Sequence, residues 1–453
     1  MISVLMIMGS VAPMNNCAAI PNTKVIKYLA REDTEITLIR KSVSALDETD
    51  ETLVPESFKH IRILSVPYSG LFQKTVGAQR NRMTQSGTKQ KLKGATGPFK
   101  AWFVKKLSHA YLDTREADWV RQVMKAFRRE LSGKHFDVIY SSYPPSETHA
   151  VAKRLMGMKT ADSWITDFRD PMFYEMFSPS RGGHRFSAGK KEQDGYARRA
   201  DLITIVSEGA REKFEYSGMD CHKLISIPNG YDPEDFPEVL RQANPTPGLF
   251  RLFYGGMLYE GRRNFSVMFR ALRELIDEGW IDRQKLSIEY AGNDWNAMQG
   301  FAAPYQLEPY CKYYGFIPHS QVLKILSEVD CSIVCSHNTK VDKGVVTGKV
   351  FDLLLAARPI ICVVNGDLAG SELGQIIRDC RAGVVYEQAN DADDYPALKA
   401  WLKEAYLQKM ENGQVPSTLD AAAREQYSYA HIGKHLYNLM EQLKTRNLRG
   451  KAK

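Results

Sequence analysis

Two tracts of the chain repeat one pattern, a short apolar run followed by an amphipathic stretch of helical length, and a proline-crowded interruption parts them. In the first tract the apolar runs are "SVLMIM", "EITLIR", "RILSVP", "FDVIYSS" and "LITIVS", with helical patterns such as "ETHAVAKRLMG" between several of them. Strands that alternate with helices pair in parallel, because a parallel pair needs a crossover long enough to hold a helix. The interruption "NGYDPEDFPEVLRQANPTPGLF" holds Pro233, Pro237, Pro245 and Pro247 in a polar setting and reads as a linker. The pattern then restarts: "RLFYGGM" as strand and turn, "FSVMFRALRELIDEG" as helix, and "LSIEYAGN", "CKYYGFI", "CSIVCS", "PIICVV" and "AGVVY" as strands. The pattern predicts two doubly wound α/β domains, 1–236 and 249–425, joined by a linker at 237–248. A helical end at 426–453 follows, open to assignment to either domain.

Composition excludes the disordered and fibrous classes, with 43% apolar and 25% charged residues. The seven cysteines contain no CxxC pair. Cys331, Cys335 and His337 lack a second ligand pair, so free buried thiols in a reducing compartment are preferred to a zinc site. The start "MISVLMIMGSVAPMNNCAA" imitates a secretion signal without its basic beginning and reads as a first buried strand. No stretch approaches the length of a membrane span.

Charge is unevenly placed. From Ser57 to Leu112 there is no Asp or Glu, while Lys59, Arg62, Lys74, Arg80, Arg82, Lys89, Lys91, Lys93, Lys100, Lys105 and Lys106 bring eleven positive charges, more than the net +8 of the whole chain. Interleaved with Phe72, Phe99, Trp102 and Phe103, they suit an anionic membrane surface or a nucleic acid; the alternative is a solvated loop.

Open α/β sheets take ligands at the carboxyl ends of their strands. In "YGGMLYEGRRN", Gly255 and Gly256 follow a strand and allow close backbone approach, and Arg262 and Arg263 offer planar donors suited to phosphate. "TGKVFDLLLAARPI" reads as a buried helix carrying one carboxylate. Such a carboxylate costs several kcal/mol unless paired, so Asp352 requires Lys349, three positions back on the same stripe, or a partner outside the protein. "GVVTGKV" superficially resembles a Walker A loop, but it is one residue too short between its glycines and lacks Ser or Thr after Lys349. Thr347, Gly348 and Lys349 nevertheless open a helix whose free N–H groups attract an anion. Asp352, one turn deeper, could then accept from vicinal hydroxyls such as a ribose diol. No DxD-like carboxylate pair stands out as a metal cradle, and no cofactor is expected.

The stretches "YGGMLYEGRRNFSVMFRAL", "YYGFIPHSQVLKILSEVDCSIV" and "TGKVFDLLLAARPIICVV…GSELGQIIRDCRAGVVY" resemble the donor-binding domain of GT-B glycosyltransferases of the family 4 type. Upstream, "SSYPPSETHAVAKRL", "ITDFRDPMF" and "ADLITIVSEGAREKF…ISIPNGYDPEDF" are similar to the first domain of bacterial enzymes of cell-surface polysaccharide synthesis. The likeness covers most of Phe136 to Tyr386. It implies two Rossmann-like domains facing a central cleft, acceptor-side then donor-side, with a C-terminal helix able to cross back.

It further implies a donor set of Gly255, Gly256, Arg262, Arg263, Ile317, Thr347, Gly348 and Lys349, with Asp352 on the ribose. The family's usual Glu is Asp352 here, and Gly344 stands where a second Glu often sits. On the acceptor side the first loop holds Gly9, Ser10, Asn15 and Asn16, the two asparagines replacing a glycine pair; Asn tolerates left-handed backbone angles. "DFRDP" places Asp167, Arg169 and Asp170 near the reacting carbon, or else in an internal ion-pair cluster. His149 faces the cleft from a helix start, or is a satisfied structural histidine.

The implied activity is transfer of a sugar from a nucleotide-sugar donor to a hydroxyl of a glycan or lipid-linked acceptor, with retention and without a metal. The expected place is the cytoplasm, peripheral on the inner face of the cell membrane, against an anionic surface and without nucleic acid. Two rivals stay open: a nucleotide-sugar epimerase of the same fold, and a non-catalytic protein that binds nucleic acid or a partner.

Overall fold

The computed structural model describes residues 1–44, 47–70, 72, 98–172, 184–211, 214, 220–236, 246–340 and 342–451, without the side chains of 98–113, 184–188, 221, 450 and 451. The chain divides into two compact units. Unit 1 is Met1–Val206, Arg211–Ile227 and Ile432–Lys453; unit 2 is Ser207–Ala210 and Pro228–His431. Unit 2 thus begins ahead of the expected linker, of which 237–245 lies outside the described residues.

Unit 1 holds a parallel sheet of β1 (Ile2–Met8), β2 (Thr34–Lys41), β3 (Arg62–Val66), β4 (Phe136–Tyr143), β5 (Ala161–Phe168), β6 (Leu202–Ile205) and β7 (Leu224–Ser226), in the order β3-β2-β1-β4-β5-β6-β7. Unit 2 repeats the plan with β8 (Phe250–Gly255), β9 (Leu286–Ala291), β10 (Cys311–Gly315), β11 (Cys331–His337), β12 (Ile360–Asn365) and β13 (Gly383–Glu387), in the order β10-β9-β8-β11-β12-β13. Each sheet reverses its winding once, between β1 and β4 and between β8 and β11. A crevice opens outside the carboxyl ends at such a point.

The helices of unit 1 are α1 (Ala19–Leu29), α2 (Pro98–Glu130), α3 (Glu147–Gly157) and α4 (His184–Ala197). Those of unit 2 are α5 (Ser266–Asp277), α6 (Trp295–Ala302), α7 (His319–Glu328), α8 (Lys349–Ala356), α9 (Glu372–Asp379), α10 (Asp391–Asn412) and α11 (Ala421–Glu425). The last helix, α12 (Tyr429–Lys451), runs mostly within unit 1. There Lys444 reaches Asp137 at 2.9 Å, Arg446 reaches Asp201 at 3.0 Å and the Asn447 amide donates to Ser163 Oγ at 2.7 Å. Part of the basic segment forms the start of α2; Lys74, Arg80, Arg82, Lys89, Lys91 and Lys93 lie outside the described residues. Among the described residues no helix is long and apolar enough to cross a membrane.

Strand alternation splits the core of unit 2 in two. Leu252 and Tyr254 of β8 face Met268, Phe269 and Leu272 of α5 and Leu398 and Leu402 of α10. Phe253, between them, faces Leu323 and Leu326 of α7, Phe351 and Leu354 of α8 and Ile377 of α9. Below this core, where β8 begins and β11 is about to begin, sit two buried ion pairs. Arg251 forks onto Glu289 at 2.6 and 2.9 Å. Lys409 of α10 meets Asp330 at 2.8 Å, both side chains wholly out of water. Asp330 also accepts from the Arg251 N–H at 2.8 Å, and the Lys409 ammonium donates to the Gly413 carbonyl at 2.9 Å. Burial still holds the Asp330 carboxyl above its ordinary range, so desolvation outweighs both partners.

Candidate functional site

In unit 2, β8 runs into Gly255 and Gly256. Gly256 has φ +143°, a region that L side chains avoid, and a Cβ there would overlap the end of the Lys349 side chain, its Nζ 2.5 Å away. Lys349, from the start of α8, therefore lies directly across the turn. Arg263 enters from the same loop, 7% exposed, with its guanidinium over the Tyr259 ring at 4.7 Å and its Nε without a hydrogen-bond partner. Burial lowers the Lys349 pKa, the neighbouring Arg263 charge lowers it further, and Asp352 pulls the other way. Among the described residues neither cation makes an ion pair within 4 Å. Arg262, next in the chain, is exposed.

α8 begins at Gly348 with no side chain capping it, and the buried Thr347 accepts the Val350 N–H at 3.1 Å. The Phe351 N–H is likewise taken by the Gly348 carbonyl at 3.2 Å, so it is the N–H groups ahead of Val350 that are left to an anion. The helix covers its apolar side with Val350, Phe351, Leu354 and Leu355, while Lys349 and Asp352 share a partly exposed stripe. The expected buried helix is found, with Leu353 and Ala356 buried too, and only the burial of its carboxylate is corrected. Asp352 keeps 34% of its side chain exposed and bonds not to Lys349 but to His319 Nε2 at 3.1 Å. His319 is the first residue of α7. It stands in the quoted "GFIPHS" stretch, but nothing local to it marks a partner thirty-three positions later. Ile317, half-buried in the same loop, follows Phe316, which is 79% exposed.

Gly344 sits where the resemblance places a second Glu. Its φ is +71°, and a Cβ there would strike the backbone of Gly209 and Ala210, at 2.6 Å from Gly209 Cα and 2.7 Å from the Ala210 nitrogen. No larger side chain fits that contact.

The acceptor-side candidates occupy unit 1. Asp167 is fully buried and accepts from Ser142 Oγ at 2.7 Å, Thr204 Oγ1 at 2.7 Å and Arg169 Nε at 3.0 Å; Arg169 also donates to the Ile227 carbonyl at 3.1 Å. These two are placed as an internal ion pair, and Asp170 alone of the three is exposed. His149 is fully buried at 4.7 Å from the Phe168 ring and 5.4 Å from the Tyr196 ring, and burial pushes its pKa down to about 3. Trp164 Nε1 donates to Ser141 Oγ at 2.8 Å, and that hydroxyl lies 2.8 Å from His149 Nδ1. His149 Nε2 has no hydrogen-bond partner.

In the first loop Gly9 packs beneath the Pro145 ring, and the Ser10 carbonyl accepts from Asn22 at 2.9 Å. Neither Asn15 nor Asn16 has positive φ, so their tolerance of left-handed angles is not used. Asn16 instead uses its side-chain oxygen to accept the N–H groups of Ala18 and Ala19 at 3.1 and 2.9 Å, where α1 begins.

No protein-family model matches the chain, and no curated protein matches it significantly. Solved structures do. Sucrose-phosphate synthase from Thermosynechococcus elongatus aligns with a TM-score of 0.60 at 13% identity, covering 98% of this chain and 100% of its own. Anabaena HepE in complex with UDP and glucose aligns at 0.58 and 12% identity, covering 98% and 100%. The N-terminal domain of Candida albicans trehalose-6-phosphate phosphatase aligns at 0.59 and 11% identity, covering 97% of each chain. Likeness at these identities establishes the fold, two parallel-sheet α/β domains of the GT-B type. Because one of these neighbours is named as part of a phosphatase, the reaction has to be argued from the site.

Proposed function

We propose that the chain is a glycosyltransferase that moves a sugar from a nucleotide-sugar donor to a hydroxyl of a glycan or lipid-linked acceptor. One observation carries this reading: Lys349 lies across Gly256 within electrostatic reach of Arg263, both mostly out of water and with no ion-pair partner among the described residues. Two like charges so placed repel each other and have both lost hydration, and a bound anion relieves both penalties. A diphosphate is such an anion. As the bond from the anomeric carbon to the diphosphate breaks, its oxygen gains negative charge, which these cations, Arg262 and the open first turn of α8 are aimed to stabilise without a metal.

Asp352 completes the reading. Its Oδ2 is engaged by His319, and Oδ1 is left to accept from ribose hydroxyls. A panel of nucleotide sugars, begun with UDP-glucose on the likeness to HepE, should raise the melting temperature for at least one member, since a ligand at 100 times its Kd adds about 2.7 kcal/mol. Asp352→Asn should weaken that ligand by about 1 to 3 kcal/mol and should erase the preference for ribose over 2′-deoxyribose. A folded Asp352→Asn protein with the same affinity and the same preference would remove Asp352 from the site.

Retention of configuration, a role in bacterial cell-surface polysaccharide synthesis and work at the cytoplasmic face of the membrane belong to the same proposal, supported by the order of the motifs. The basic segment supplies its membrane test. Each Lys or Arg near an anionic surface contributes about 1 kcal/mol. The protein should therefore sediment with phosphatidylserine vesicles at low salt and release as salt rises. Changing Lys89, Lys91, Lys93, Lys105 and Lys106 to Glu should abolish sedimentation. A charge-reversed protein that still sediments at moderate salt would leave the segment a solvated loop.

A further inference from the structure

Arg262 and Arg263 hang on a loop whose backbone is unusually constrained. After Gly256, Tyr259, Glu260 and Gly261 take φ of +50°, +57° and +87° in succession, two of them residues that rarely adopt left-handed angles. Such a run persists only where the surroundings over-determine it. Two side chains outside the loop do so. Asp294 stands at the start of α6, where an Asp ordinarily caps its own helix, yet it makes no cap. Its Oδ2 instead accepts the N–H groups of Leu258 and Tyr259 at 2.7 and 3.1 Å.

Tyr290, fully buried in β9, donates its hydroxyl to the Gly256 carbonyl at 3.0 Å and accepts the Asp294 N–H at 2.9 Å. Burial pushes that hydroxyl up to about 12, so it stays a donor at any working pH. A Cβ at position 292 would overlap both the Tyr290 hydroxyl and the Gly256 carbonyl, so the glycine there keeps this bond possible. Tyr254 adds a third tie, from its hydroxyl to the Met257 carbonyl at 3.1 Å. These ties reach the backbone of Gly256, Met257, Leu258 and Tyr259, in the same loop as Arg262 and Arg263.

We infer that Asp294 and Tyr290 are positioning residues that hold the Gly256–Arg263 loop in a diphosphate-ready shape, ahead of any ligand. This rests on the reading of the site as a nucleotide-sugar site. It goes beyond it in assigning affinity for the second phosphate to two side chains that touch no ligand. Donors fixed in advance do not spend binding energy on ordering the loop.

The test uses the full chain and four probes, UDP, ADP, GDP and dTDP, each beside its monophosphate. The ratio of diphosphate to monophosphate affinity isolates the loop. A loosened fold weakens both ligands alike, whereas a misplaced loop weakens only the diphosphate. Asp294→Ala and Tyr290→Phe are expected to lower that ratio by about 10-fold while leaving the monophosphate unchanged. Asp294→Asn, whose amide oxygen can accept the same two N–H groups, should restore it. Tyr290→Phe keeps the ring between Tyr254 and Tyr313 and so retains the fold should Asp294→Ala lose it. If wild type binds one of the diphosphates and both variants keep its ratio, the positioning role is overturned and the site stands. If wild type binds none of the four, the reading of the site itself falls.

Discussion

Lys349→Met is expected to slow turnover by about 10²- to 10³-fold, the loss typical of removing one preorganised group from a developing oxyanion. The same change should leave thermal stability unchanged or raise it. Lys349 and Arg263 press two positive charges together in a partly dry setting, and burial with mutual repulsion already lowers the Lys349 pKa. Removing one charge relieves that cost in the free protein, while the methionine retains most of the apolar stem that lies across Gly256. Opposite signs of effect on stability and on turnover are what a site strained for function produces. Single-turnover rates and a denaturant titration of the two proteins read both quantities. Lower stability with unchanged turnover would place Lys349 in the scaffold instead.

The second large effect lies at the other end of the strands of unit 2. Lys409→Ala should cost about 3 to 5 kcal/mol of stability, because it leaves the Asp330 carboxylate buried and without its charge partner. The Gly413 carbonyl at the end of α10 loses its donor as well. The intact pair is not itself a large stabiliser. Burial raises the Asp330 pKa even with Lys409 in place, so much of the Coulomb gain is consumed by desolvation. Lys409→Met combined with Asp330→Leu should therefore recover part of the loss, the remainder being the Arg251 N–H left without its acceptor. A double-mutant cycle in urea measures it; a double variant as unstable as Lys409→Ala would show that the charges carry stability beyond their mutual need.

Strands with unbroken apolar runs were legible in the sequence, and so was the restart of the pattern in the second half. β5 and β7 were not counted among them. β5, "ADSWITDF", buries Ser163, Thr166 and Asp167 completely, and polar residues inside a central strand erase the apolar signal that burial normally leaves. β7 is three residues long, too short for any period. At the site, Gly255, Gly256, Arg263 and Lys349 were readable because turn chemistry and helix starts are local. His319 beside Asp352, and Asp294 beneath the loop, act at thirty-odd positions' remove, where only the pairing of strands brings them in. Asn16 shows a different failure: the residue type suited the turn for one reason, and the fold uses it for another, as a side-chain acceptor where α1 begins.

The membership of Ile432–Lys453 in unit 1 sets an order on biogenesis. A ribosome delivers these residues after it has delivered all of unit 2, so the earlier-born unit waits for a helix made after its neighbour. Lys444 and Asn447 make their contacts with Asp137 and Ser163 across about three hundred positions of chain. Domains ordinarily mature in the order of synthesis. Here the second can finish while the first, its sheet formed but its flank unclad, still waits for α12.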